Sequence, residues 1–79
     1  MSNQEQYDKL FMKSFKLTKD RLPGLKYRSI ELWDSAGHML LIESMEDTFD
    51  VTLDTPDVLA FSSYEKGIEI LKNYGVSFD

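Results

Sequence analysis

The sequence predicts an all-α fold: a small four-helix bundle of three longer helices and one short third helix, with a long loop between helices 1 and 2. Three observations predict it. Apolar residues recur at helical spacing in separate stretches, cap and stop signals punctuate the chain between them, and no segment offers a convincing pair of strands. A chain of 79 residues is the size of a single domain, taken here as residues 1–79.

Residues 4–17 place Tyr7, Leu10, Phe11 and Phe15 at i, i+3, i+4 and i+8, which makes one apolar stripe on a first helix. Residues 18–34 contain Pro23-Gly24 and sustain no helical period. They read as a loop with apolar anchors at Leu22, Leu25, Tyr27, Ile30, Leu32 and Trp33. A loop longer than about a dozen residues is unusual in so small a domain, and such loops often carry function. Asp34 is a good N-cap for a second helix over residues 35–49. At 100° per residue, His38, Met39, Leu41, Ile42, Met45 and Phe49 share an inward arc, and Ala36, Leu40, Glu43 and Asp47 fall opposite.

Val51 and Leu53 alternate through a short link. Thr55-Pro56 reads as a cap followed by proline at the first helical position of a short third helix, residues 56–60. Ser62-x-x-Glu65 reads as a capping box that opens a last helix burying Tyr64, Ile68 and Leu71. Asn73-Tyr74-Gly75-Val76 ends it, with Gly75 in the left-handed position after the helix.

Composition narrows the chemistry. Cysteine is absent, which removes disulfides and thiolate metal sites, and one histidine makes a zinc cage unexpected. No apolar run, Met39–Ile42 included, exceeds four residues, far short of a membrane span. The first ten residues, MSNQEQYDKL, lack the basic and apolar stretches of a signal peptide, so a soluble cytoplasmic domain is expected; a monomer is a separate expectation. The net charge is −5 and unevenly spread. Residues 1–28 hold seven of the nine basic residues; residues 29–65 hold none, but carry nine carboxylates. Such a middle disfavours nucleic acid and favours a basic protein partner. It also serves solubility alone.

Asp34, Ser35 and His38 stand together at the head of helix 2 and admit three readings. As a hydrolytic site they have the residue types of a triad, but Asp34 is spent as a cap and no G-x-S-x-G elbow is present. As plain helix-start residues they satisfy free backbone N–H groups, and His38 packs and hydrogen-bonds to a loop. As a modification site, Ser35 is an exposed hydroxyl where an attached phosphate would meet the positive end of the helix dipole.

The third reading coincides with a family resemblance. Asp34-Ser35 at the start of helix 2, Met39, Leu41, Ile42 and Met45 after it, and the Glu46-Asp47-Thr48-Phe49-Asp50 ending resemble the acyl carrier protein family. Leu53, Val58, Phe61, Ser62-Ser63-Tyr64, Ile68 and Leu71 continue the register, so the resemblance covers essentially the whole chain. Trp33, Ala36, Gly37, His38 and Leu40 depart from the usual fatty-acid carriers, and the Trp33-Asp34-Ser35 and His38 pattern looks more like freestanding carriers of dedicated pathways such as polyketide, aminoacyl or surface-saccharide assembly.

The resemblance implies that Ser35 is the attachment site for 4′-phosphopantetheine and Asp34 its recognition neighbour. The group would come from coenzyme A through a separate magnesium-dependent phosphopantetheinyl transferase. Cargo would ride as a thioester, supplied by an acyl- or aminoacyl-loading ligase and taken up by downstream transferases or synthases. The chain would be a carrier and not an enzyme, and Ala36, Leu40, Glu43 and Asp47 would form its partner-docking face. The competing reading from a different class is an unmodified helical adaptor that docks a basic protein through the same face.

Overall fold

In the computed structural model, which describes residues 1–78, the four helices lie where the sequence places them: α1 Asn3–Phe15, α2 Ser35–Phe49, α3 Thr55–Ala60 and α4 Tyr64–Asn73. The fold is the expected small all-α bundle, with α1 packed against α2. The long loop carries one 3₁₀ turn, Lys19–Arg21. Among the described residues the only extended pairing is an isolated antiparallel bridge between Lys26 and Ser63.

α1 opens on a full capping box. Ser2 Oγ accepts from the Glu5 backbone N–H at 3.1 Å, and Glu5 Oε1 accepts from the Ser2 N–H at 3.1 Å. The helix stops at Phe15, two residues short of the boundary read from the sequence. Lys16 turns left-handed with φ 55°, and both Lys16 and Leu17 return their N–H groups to Met12 O. That closure satisfies the carbonyl end and turns Leu17 onto the core.

Tyr7, Phe11 and Phe15 from α1 meet Leu41, Ile42 and Met45 from α2, Phe61, and Ile70 and Leu71 from α4. Leu22, Leu25 and Trp33 anchor the loop to this core, so it is packed rather than free. Leu32 corrects its assignment as an anchor: it is 46% exposed. A turn in which Trp33 N–H donates to Ile30 O sends Trp33 inward and Leu32 outward. Met39 is a second correction. It is 51% exposed, because the buried arc of α2 is only as wide as Leu41, Ile42 and Met45. α3 itself holds no buried residue.

The expected Ser62–Glu65 capping box does not form. Ser63 is the N-cap of α4, its Oγ accepting from Lys66 N–H at 2.9 Å. The reason is tertiary: Tyr27 N–H donates to Ser62 O and Tyr64 N–H to Leu25 O, which holds residues 62–64 against the loop. Glu65 instead accepts from the Gly24 N–H at 2.9 Å. α3 likewise starts one residue early, with Asp54 rather than Thr55 as the cap residue. Asp54 N–H is held by the Tyr74 hydroxyl at 3.0 Å.

α4 buries Gly67, Ile70 and Leu71, while Tyr64 and Ile68 are half-buried. Gly67 sets this rotation, because α4 makes its closest approach there to the Phe61 ring and the Tyr7 hydroxyl. A methyl group at that point has no room. Gly67→Ala is expected to lose about 1 kcal/mol net, the cost of overpacking exceeding the alanine helix preference of about 1 kcal/mol. A urea midpoint equal to or above that of the parent chain would contradict this.

One buried charge had no sequence signal. Asp8, 4% exposed, accepts from the Tyr64 hydroxyl and from Gln4 Nε2 at 3.0 Å, with Lys19 Nζ at 3.9 Å. The Tyr7 hydroxyl donates to Tyr64 O at 2.6 Å, so polar bonds as well as apolar contact join α1 to α4. Burial, then the bond to Asp8, pushes the Tyr64 hydroxyl above the usual phenol range.

Candidate functional site at the start of α2

The start of α2 is built by its cap. Asp34 is extended, and its Oδ1 accepts from Gly37 N–H at 2.9 Å. Its carbonyl accepts from His38 N–H at 2.8 Å. Ser35 is therefore the first helical residue, and it is exposed. Close packing requires glycine at position 37, because a Cβ there would collide with the Leu32 backbone carbonyl, which lies against the first turn.

Two residues that sequence reasoning did not assign to the site stand beside Ser35. Its Oγ lies 3.2 Å from the Tyr27 hydroxyl and 3.3 Å from Arg28 Nη2. The Arg28 guanidinium also sits over the Tyr27 ring, 5.3 Å from its centroid. A tight reversal of the loop delivers both. Arg28 adopts φ 65°, and its N–H donates to Trp33 O at 2.9 Å. The bond to Ser35, then the adjacent Arg28 guanidinium, draws the Tyr27 phenol below its usual range. The Tyr27 hydroxyl beside it raises the Arg28 guanidinium in turn. The sequence signal for Arg28 was faint: it is the last basic residue before the acidic stretch.

Ser35 and His38 are not a catalytic pair. Trp33 Nε1 donates to His38 Nδ1 at 2.9 Å, so the imidazole proton sits on Nε2, which donates to Val58 O at 2.8 Å. Both ring nitrogens are committed. The ring is further packed by Tyr27 at 5.2 Å and by Trp33 and Phe61, each at 6.2 Å between centroids. His38 thus ties the loop, α2 and α3 together, the packing role expected of it.

Beyond the first turn, Ala36, Leu40, Glu43 and Asp47 are all exposed, and Leu40 is 63% so. Leu59 on α3 is 77% exposed. The one ion pair among the described residues is Lys19–Asp8, so it uses neither Glu43 nor Asp47. Among those residues no three His, Cys, Asp or Glu side chains are grouped to hold a metal ion, and no helix is long and apolar enough to cross a membrane.

The residues at the site fit a covalently attached phosphodiester. Ser35 is exposed, it is the first residue at the positive end of a 15-residue helix, and the Arg28 guanidinium is within hydrogen-bond range of its hydroxyl. No family model, curated protein or solved structure matches the chain, so the functional reading rests on this geometry together with the sequence pattern.

Proposed function

We propose that this chain is an acyl or aminoacyl carrier protein whose Ser35 takes up 4′-phosphopantetheine. The observation that supports it most is the environment of Ser35 Oγ: exposed, at the first residue of α2, and 3.3 Å from Arg28 Nη2. A helix N-terminus and a guanidinium both favour an added negative charge. The attached group supplies a terminal thiol for thioester cargo, which a chain without cysteine does not otherwise have. Asp34 holds the serine at the helix start and marks it for the transferase. Ala36, Leu40, Glu43 and Asp47 present an apolar and acidic face to the transferase, the loading ligase and the downstream transferases or synthases.

The test is a weighing. Co-expressed with a broad-specificity phosphopantetheinyl transferase, the chain is expected to gain the mass of one phosphopantetheinyl group, and Ser35→Ala is expected to gain none. No added mass in the parent chain, or an added mass that persists in Ser35→Ala, would overturn the proposal.

Glu43 and Asp47, exposed and outside the ion pair, also favour a second reading, an unmodified adaptor for a basic protein partner. In that case binding is weakened by Glu43→Lys and Asp47→Lys and is indifferent to Ser35→Ala. The carrier reading expects partner enzymes to respond to all three.

A further inference from the structure

The carrier reading leaves open where the cargo sits. We infer that it stays outside the bundle, which suits this chain to short or polar acyl groups, aminoacyl groups included, rather than to long alkyl chains. The inference rests on the carrier reading and on what fills the space beneath Ser35.

His38 lies one turn along α2 from Ser35 and closes the seam between α2 and α3. It does so with polar bonds at both ends of its ring: Trp33 Nε1 to His38 Nδ1 at 2.9 Å, and His38 Nε2 to Val58 O at 2.8 Å. Of the two, the bond to Val58 O spans α2 and α3, and a chain entering between these helices at His38 has to break it. Methylene groups offer no donor or acceptor in exchange, so an imidazole nitrogen and a backbone carbonyl are left without a partner.

Behind the bridge the interior is occupied. The Trp33 indole, fully buried, stacks on Phe15 at 5.3 Å and meets Phe11 edge-on at 5.4 Å. Phe61 is also fully buried, and on its far side α4 has no room for even one methyl at Gly67. Admitting an alkyl chain would mean moving aromatic rings that already hold one another in place. A polar or charged acyl group has no reason to enter and loses nothing in water.

The experiment loads Ser35 with acetyl-, hexanoyl-, octanoyl- and decanoyl-phosphopantetheine from the corresponding acyl-coenzyme A, using a phosphopantetheinyl transferase and confirming each product by intact mass. Thermal unfolding and the emission of Trp33, the chain's one tryptophan, are then compared across the series. The expected result is a melting temperature constant to about 1 °C and an unshifted Trp33 emission from acetyl to decanoyl. A rise of about 4 °C or more with chain length, or a length-dependent shift or quenching of Trp33, would overturn the inference and leave the carrier reading intact. Failure to load any group overturns the carrier reading itself, and this inference with it.

Discussion

Trp33→Ala is expected to cost about 3–5 kcal/mol, the range for removing a large aromatic from a packed core. A chain of 79 residues has about 4–12 kcal/mol of stability in total, at roughly 0.05–0.15 kcal/mol per residue, so the variant is expected to lose a large share of it and to unfold at a much lower urea concentration than the parent chain. Three losses add up. The indole is 0% exposed, so its whole transfer free energy is forfeited. The cavity is bounded by Phe11 and Phe15 on a helix and by Tyr27 in a loop tied to Ser62, which limits its collapse. His38 Nδ1 also loses its donor. Far-UV circular dichroism at 222 nm during urea titration measures the effect without using the deleted fluorophore. A midpoint near that of the parent chain would show that Trp33 does not organise the core.

Gly37→Ala is expected to destabilise by about 2–3 kcal/mol, against the direction that helix propensity alone would give. Alanine is favoured over glycine inside a helix by about 1 kcal/mol. Here the added methyl meets the Leu32 carbonyl, which is backbone and cannot rotate away. Either the first turn of α2 lifts, breaking the 2.9 Å bond from Gly37 N–H to Asp34 Oδ1, or the loop is displaced. Displacing the loop also moves Arg28, whose N–H is bonded to Trp33 O, away from Ser35. The variant is therefore expected to unfold at lower urea and to be modified at Ser35 more slowly than the parent under the same transferase. Equal stability would mean that the contact with Leu32 is not held in solution.

The two substitutions separate what local sequence rules reveal from what they miss. The bounds of α2 follow from Asp34 as cap and from the apolar period through Met45, because both are properties of neighbouring residues. Gly75 falls after α4 for the same reason, and it has φ 92°. The same period places Met39 inward, and apolar character alone makes Leu32 read as a loop anchor, yet both are exposed. Periodicity ranks residues around an element but does not say how much of its circumference the neighbours cover, and on α2 they leave Met39 exposed. The capping box at Ser62 is lost because residues 62–64 are already engaged by Leu25 and Tyr27, about forty positions away.

The same division applies to the site. Asp34 and Ser35 are legible as a dipeptide at a helix start. Tyr27 and Arg28 are not, because a positive-φ reversal at Arg28 and the anchoring of Trp33 bring them to Ser35, and neither has a spacing rule. Asp8 is hidden by a similar cause: a carboxylate one position from an apolar stripe reads as solvated until Tyr64 and Gln4 arrive to bond it.

By itself the sequence determined the helix order, the principal apolar stripes, the cap at Asp34 and the exposed hydroxyl beside it, since each depends on interactions within a few residues. Only the tertiary structure decided that Arg28 and Tyr27 flank Ser35, that His38 is a polar bridge from Trp33 to Val58, and that Gly37 and Gly67 mark the closest approaches of the chain to itself. Those features are set by packing between segments distant in the chain, where the space left by one side chain determines what the other can be.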